Sequence, residues 1–330
     1  MRTRIFPATG QTFSEIGLGT WQLGGTEWGD IPDSLALDTL AAAAEAGVTF
    51  FDTADIYGLG RSESLIGQFL KGRTDRDRFI VATKLGRWPQ PGFPGNFEPS
   101  TIIAHTEASL LRLGVDCIDL TQTHCIPHEV MKHGDVFQTL SNLVKAGKIR
   151  AFGASVESMD EAIDCLACTE LKSLQIIFNM LRQKPIDVLF EKAQSQGVAI
   201  IVRLPLASGV LSGKFSHATT FPESDHRNFN RDGQKFNVGE TFAGVPFTKA
   251  VELVDEIRAI IPASLSLPHS ALRWCLDHDA VTTVIPGATR PDQATANASA
   301  SDCPPLSSTV HEHLRTFYRE RVASHIRGAY

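Results

Sequence analysis

The 330-residue chain is predicted to be an α/β protein, a (β/α)8 TIM barrel with an N-terminal β-hairpin. Three observations predict it. Eight short apolar runs rich in β-branched and aromatic residues recur from end to end, stretches of helical periodicity lie between most of them, and several of those stretches close on glycine, at Gly47, Gly72, Gly114, Gly147 and Gly197. Parallel strands joined by helices bury both faces, and eight of them close a barrel filled by its own side chains.

The first residues, RTRIF, PATG and QTFSEIG, read as strand, turn and strand, a hairpin placed to plug the barrel end opposite the active site. The barrel strands follow as SEIGLGTW, VTFFDTA, RFIVATK, CIDLTQTH, IRAFGAS, SLQIIFN, VAIIVRL and VTTVIPG. Helical periodicity marks SLALDTLAAAAEAG, SESLIGQFLKG, STIIAHTEASLLRLG, VFQTLSNLVKAGK, IDVLFEKAQSQG and SALRWCLDH. No composition shift divides the chain, which predicts one domain over residues 1–330. Residues 204–247 lack periodicity, are rich in Gly, Asn, Asp and Phe, and read as a lid over a ligand.

A doubly wound sheet is the competing architecture, and its glycine-rich phosphate turn is missing. Gly17-Leu18-Gly19-Thr20-Trp21-Gln22 breaks that pattern at its last position, and GVLSGK (209–214) falls one residue short of a P-loop because Phe215 stands where Ser or Thr belongs.

Hydrophobic residues make up 42% and charged residues 21%, with a formal net charge of −6. Because the basic residues are scattered, a phosphate-backbone partner is not expected, so nucleic acid is excluded. No apolar run approaches the ~20 residues of a membrane span and the start lacks a secretory signal, so a cytoplasmic protein with no membrane partner is expected. The six cysteines suit reduced thiols, with Cys165 and Cys168 read as packing residues inside one helix. His124 and His128 have ligand-like spacing, but Pro127 separates them where the chain leaves a strand, and no metal site is expected.

In such a barrel the chemistry lies at the carboxyl ends of the strands. Asp52 follows VTFF, Tyr57 lies in the same loop, Lys84 follows FIVAT and His124 follows IDLTQT. A phenol of ordinary pKa about 10 is a weak acid at neutral pH, and an adjacent ammonium favours its phenolate, so Lys84 is expected to lower the pKa of Tyr57. Asp52 would hold Lys84, His124 would polarise a carbonyl, and Tyr57 would deliver a proton as hydride arrives.

Along essentially its whole length the sequence resembles the aldo-keto reductases, through GLGTW, FFDTADIYG, GRSESLIG, ATKLG, DLTQTH, KIRAFGAS, LQIIFN, LPLASGVLSGK and VIPGATRPDQATAN in that order. The resemblance implies an NAD(P)H-dependent oxidoreductase that reduces a small-molecule aldehyde or ketone, with Asp52, Tyr57, Lys84 and His124 as the catalytic tetrad. It also implies cofactor contacts. Thr20, Trp21 and Asp52 fall at the nicotinamide ribose and substrate pocket, Ser155 and Gln175 at the carboxamide, and Arg203 at the seventh-strand position facing the nicotinamide. Leu206, Ser208, Gly209, Leu211 and Lys214 fall at the pyrophosphate, and Gly287, Thr289, Arg290, Gln293 and Asn297 at the adenosine end. Arg290 is the expected reader of a ribose 2′-phosphate, which makes NADPH the expected cofactor in preference to NADH.

Two other readings share the fold: an NAD-dependent sugar or polyol dehydrogenase, and a cofactor-sensing regulatory subunit. The sequence departs from the family pattern at Val156, where Asn is usual, at Arg203, where an aromatic residue is common, and at Cys125, where Trp is common and whose replacement is expected to widen the pocket. Trp21, Trp28, Trp88, Cys125 and the 216–247 loop are expected to set its shape. No interface stripe fixes an oligomeric state.

Overall fold

The computed structural model describes residues 1–7, 9–25 and 27–330. Strands β1 (Thr3–Ile5) and β2 (Thr12–Ser14) pair antiparallel with Arg4 opposite Phe13, giving the expected hairpin. Ala8 of the expected PATG turn lies outside the described residues.

The eight remaining strands form one parallel sheet in sequence order: β3 (Leu18–Gly19), β4 (Phe50–Asp52), β5 (Ile80–Leu85), β6 (Leu120–His124), β7 (Phe152–Ser155), β8 (Ser173–Ile177), β9 (Ala199–Arg203) and β10 (Val281–Val284). Bridges Ile16 to Val284 and Gly19 to Gly287 bring the two ends together, and the Gly17 amide donates to the Val284 carbonyl at 2.8 Å. The sheet therefore curls into the expected (β/α)8 barrel.

The strand sequences alternate, and the alternation sorts the two cores. Phe50, Ile80, Ala82, Leu120, Ala199 and Ile201 point into the barrel and form one apolar cluster with Phe6 and Phe13 of the hairpin. Phe51, Val81, Ile200 and Val202, one residue out of phase, pack outward on the helices. The Phe13 and Phe50 rings lie 5.0 Å apart, and reciprocal 2.9 Å hydrogen bonds between Ser14 and Thr49 fix the hairpin beneath the start of β4. An apolar plug thus closes the amino end of the barrel, so polar chemistry is confined to the other end.

Outer helices form where the apolar period is 3.6. In Asp135–Lys145, the buried Val136, Phe137, Leu140 and Leu143 share one face, and Gly147 ends the helical path with φ 71°. The helix Met159–Cys165 opens with a capping box between Ser158 and Glu161. It ends at Cys165, so Cys168 lies beyond the helix and not within it as expected. Cys165 is buried against Met131 at 3.5 Å, which is the packing role anticipated for it.

Other differences concern the later half. The expected single helix IDVLFEKAQSQG is broken into Pro185–Val188 and Phe190–Ser195. Phe247–Arg258 and Ser308–Phe317 are additional helices. The first lies just past the aperiodic segment, and the second sets only Val310, Leu314 and Phe317 against the core in an otherwise polar stretch. Among the described residues no helix is long and apolar enough to cross a membrane.

Candidate active site

The same two-residue alternation that fills the barrel places the site. Continuing inward from Phe50 is Asp52, from Ile80 and Ala82 is Lys84, and from Leu120 are Gln122 and His124. Ser155, Gln175 and Arg203 follow by the same parity on β7, β8 and β9. Cross-strand register brings His124 level with Ser155 and Ser155 level with Gln175.

Tyr57 comes from the turn after β4. That turn is tied to β5 by the Thr53 amide on the Ala82 carbonyl, at 2.8 Å, and the Asp55 amide on the Lys84 carbonyl, at 3.1 Å. It also packs against the loop after β3 so closely that a Cβ at Gly24 would lie 2.8 Å from Tyr57, and one at Gly58 would lie 2.0 Å from the Gly24 carbonyl oxygen. Glycine at both positions lets the loops meet and seats the phenol over the barrel.

The expected tetrad assembles. The Lys84 Nζ donates to Asp52 Oδ1 at 2.5 Å, to the Thr53 carbonyl at 2.8 Å and to the Tyr57 hydroxyl at 3.4 Å. Gln175 and Gln122 donate to the other Asp52 oxygen at 2.7 and 3.4 Å. The His124 ring meets the Tyr57 ring edge-on at 5.7 Å. Asp52 is thus fixed from three strands and in turn fixes the ammonium that faces the phenol.

Electrostatics correct one expectation. Burial raises the Tyr57 pKa above its ordinary value; Lys84 opposes this, but Asp52 and Glu240 reinforce it, so the net direction is upward and not downward as the sequence suggested. The phenol keeps its proton through neutral pH. Burial pulls Lys84 down, yet Asp52 and Tyr57 more than reverse the effect and hold it charged. Burial, then Arg87, Lys84 and Arg203, push His124 well below its ordinary range, so its imidazole is neutral.

A cavity of about 500 Å³ runs from this tetrad to the helix Pro291–Ser299. Thr20, Trp21, Asp52, Tyr57, His124, Ser155, Gln175, Arg203, Leu206, Ser208, Gly209, Lys214, Gly287, Thr289, Gln293 and Asn297 line it. Several of these polar groups brace one another. The Thr20 hydroxyl donates to the Asp52 carbonyl at 2.9 Å, Ser208 Oγ donates to the Glu240 carbonyl at 2.9 Å, and Gln293 Oε1 accepts from both the amide and the hydroxyl of Thr289.

Two expected contacts fall outside the cavity wall. Leu211 is wholly buried in the apolar core. Arg290 is half exposed, and its fork grips Asp292 through bonds of 2.9 and 3.0 Å. Two pocket-shaping residues are also absent from the wall. Trp88 packs under the Arg112 guanidinium, and Cys125 turns its thiol to within 3.5 Å of Ser155 Oγ and Arg203 Nη2.

Sequence reasoning missed a charged network beside the cavity, of which Arg203 and Glu240 line the wall. Arg87 reaches Glu157 at 3.0 Å and the His124 carbonyl at 3.0 Å; Arg203 reaches the Val156 carbonyl at 3.1 Å; both guanidiniums flank Glu240 Oε1, at 3.6 and 3.5 Å. Two departures from the family pattern, Val156 and Arg203, are therefore joined by one hydrogen bond. Arg87 and Glu157 follow strand ends by two residues each, a usable signal, whereas Glu240 lies in the aperiodic segment and gave none. Cys125, Glu157 and Glu240 bring possible metal ligands within 4.8 Å of one another, but guanidiniums already occupy both carboxylates and burial raises the thiol's pKa. His128 opens the helix His128–His133 and pairs with Asp164 at 2.7 Å, apart from the cavity that His124 lines.

The family model described as the aldo/keto reductase family matches residues 15–319. The chain belongs to the aldo/keto reductase family. It is 32% identical over 289 residues to the aldo-keto reductase YhdN of Bacillus subtilis, covering 87% of this chain and 85% of that protein. It is 29% identical to the NADH-specific methylglyoxal reductase of Escherichia coli, covering 88% and 90%. Among solved structures, the glycerol dehydrogenase of Gluconobacter oxydans superposes with a TM-score of 0.80 at 27% identity, over 99% of this chain and 98% of that one. As a member of this family, the protein is an oxidoreductase of small-molecule carbonyl chemistry.

Proposed function

We propose that this aldo-keto reductase reduces an aldehyde or ketone to the alcohol, with NADPH preferred over NADH and Tyr57 as the proton donor. The observation that carries the reading is the Tyr57 hydroxyl on the cavity wall, 3.4 Å from an ammonium that Asp52 holds at 2.5 Å.

The residues present fit a nicotinamide dinucleotide. Buried Gln122 Oε1 and His124 Nδ1 have no partner among the described residues, and Ser155 and Gln175 stand beside them on adjacent strands. Lys214 and the amino end of the helix Pro291–Ser299, where the helix dipole favours an anion, lie at the far end. When bound, the cofactor supplies hydride to the carbonyl carbon. Gln175, its Nε2 on Asp52, would hold the carboxamide through its amide carbonyl, and Arg290, now on Asp292, would hold a ribose phosphate.

The protein's own part is proton transfer and orientation. Neutral His124 donates one hydrogen bond to the substrate oxygen without adding a competing acid. Tyr57 transfers its hydroxyl proton to that oxygen as negative charge develops there, and Lys84 stabilises the phenolate left behind. The phenol's raised pKa keeps the proton available through neutral pH, which suits reduction.

Replacing Tyr57 by Phe tests the assignment. Turnover of an activated aromatic aldehyde is expected to fall about 10²–10⁴-fold, the share of a positioned acid, while NADPH still quenches the protein's fluorescence with unchanged affinity. Near-normal turnover in this variant would remove Tyr57 from the role.

A further inference from the structure

Residues 326–330 lie against the 204–247 segment. The Arg327 amide and its Nε both donate to the Gly244 carbonyl, at 3.1 and 3.0 Å, while Nη1 pairs with Asp232 at 2.6 Å and Nη2 reaches the Arg231 carbonyl at 3.3 Å. Gly244 has φ 82°, and a Cβ there would lie 2.8 Å from the Arg327 carbonyl oxygen, so glycine lets the two stretches meet. Farther along, the Tyr330 hydroxyl accepts from the Lys184 amide at 2.7 Å and meets the Tyr318 hydroxyl at 2.5 Å. Five residues are thereby fastened to the segment at one end and to the stretch after β8 at the other.

Arg182, which closes the turn after β8, sits where these parts meet. It is 1% exposed, and its guanidinium donates to the Ala329 carbonyl at 2.6 Å and to the Glu157 and Ala243 carbonyls at 3.4 Å, and lies 4.4 Å over the Tyr330 ring. A Cβ at Gly239 would run into the same guanidinium. Among the described residues its hydrogen bonds go to carbonyls alone. Burial pulls its pKa down to about 10, which leaves it charged at neutral pH. A buried cation is costly unless its surroundings compensate it, and here carbonyls and a ring from three separate stretches do so. The charge therefore favours the arrangement in which the loop after β7, the segment and residues 326–330 are all present.

The consequence reaches the cavity through one short turn. Asn237 accepts the Gly239 amide on its Oδ1 at 2.6 Å and donates to Glu157 Oε2 at 3.1 Å, and its carbonyl accepts the Glu240 amide at 3.0 Å. Glu240 lines the cavity, whereas Arg182, Arg327 and Tyr330 lie off its lining.

We propose that Arg182 and residues 326–330 are positioning elements of the cavity: they seat residues 231–244 on the barrel and thereby fix Glu240 in the wall, without touching a ligand themselves. For its kinetic consequence this rests on the reductase reading above. A wall seated only part of the time lowers apparent affinity in proportion to the seated fraction. The tetrad, which strand register holds, stays as it was.

The test is Arg182→Met, which keeps an unbranched side chain and removes the charge, beside Arg321→Ala, which cuts an exposed pair with Glu256. Trypsin cleavage within residues 227–235, followed by mass spectrometry, is expected to be at least about tenfold faster in Arg182→Met than in the parent, because cleavage tracks the population of the opened form. At saturating NADPH, its KM for an activated aromatic aldehyde is expected to rise at least about threefold, with kcat within about twofold. Arg321→Ala is expected to change neither readout. Should Arg182→Met fail to fold, Arg327→Ala takes its place with the same expectations. Cleavage no faster than in the parent, cleavage equally fast in Arg321→Ala, an unchanged KM, or a kcat that falls as far as KM rises overturns the proposal. Failure of both variants to fold overturns it too, since the contacts would then be a requirement of the barrel itself. If the parent turns over no aldehyde, the reductase reading fails, and the cleavage rates decide the proposal by themselves.

Discussion

The cavity has two unlike polar walls. The proposed catalytic wall, made by Asp52 and His124 at strand ends, with Lys84 behind them and Tyr57 in the adjoining turn, is held by short hydrogen bonds within the barrel. The second, where Arg203 and Glu240 line the cavity with Arg87 and Glu157 joined to them, depends on one carboxylate from outside the barrel and on longer ion pairs of 3.5 and 3.6 Å. The first is fixed by strand register. The second exists only when the 204–247 segment folds over it, pinned by Asn237 on Glu157 at 3.1 Å and by Arg327 on Asp232 at 2.6 Å. The difference teaches that strand register alone sets the proposed proton-transfer group, whereas the aperiodic segment supplies Glu240 to the rest of the cavity wall.

If the walls divide in this way, Glu240→Ala should act mainly on stability. Removing it strands Arg87 and Arg203 with one buried partner fewer, and breaking a buried pair costs about 3–5 kcal/mol, measurable by urea unfolding. A loss below about 1 kcal/mol would show that solvent already compensates these charges.

Lys84→Met attacks the other wall. Turnover should fall about 10²-fold, because the phenolate left after proton transfer loses its ammonium, while NADPH affinity changes little. Equal losses in turnover and in cofactor binding would mean that Lys84 acts on the cofactor instead.

Asp55, behind the catalytic wall, is wholly buried, and neither carboxyl oxygen has a partner among the described residues. Burial, reinforced by Glu63, raises its pKa to about 8. The folded protein therefore keeps a proton that the unfolded chain releases near pH 4, so stability is lost as pH rises from about 4 to about 8. Asp55→Asn should remove that slope, which is at most about 1.4 kcal/mol per pH unit, and unfolding midpoints at pH 5 and pH 8 check it. A parent and variant with the same pH dependence would contradict the assignment.

The smallest effect is expected farthest from both walls. Arg290→Ala should raise the KM for NADPH about tenfold, the worth of one charge-assisted hydrogen bond, and leave that for NADH nearly unchanged. Equal changes for both cofactors would take Arg290 out of phosphate recognition.

How much of this was legible follows from the same physics. The barrel and the positions of Asp52, Lys84 and His124 were readable because an inward residue at a strand's carboxyl end is set by a period of two, which needs no tertiary information. Tyr57 was readable from its place in the loop after β4, but its pKa was not. The sequence shows Lys84 as a neighbour and hides the burial that outweighs it. Glu240 and His226 were invisible because they come from a segment whose path is set by long-range contacts, such as the Ser208 hydroxyl on the Glu240 carbonyl and the Arg182 guanidinium on the Ala243 carbonyl at 3.4 Å. Trp88 misled because a tryptophan in the loop after β5 suits a pocket wall, yet its ring lies under the Arg112 guanidinium, off the cavity lining.

The most direct test of the central claim is a stoichiometric one. Purified protein, NADPH and a panel of activated aromatic, aliphatic and hydroxylated aldehydes are followed by loss of NADPH absorbance and by product chromatography. The account predicts steady, aldehyde-dependent oxidation with one alcohol formed per NADPH consumed. A protein that binds NADPH, as its fluorescence reports, yet oxidises none of it with any aldehyde of the panel would contradict it.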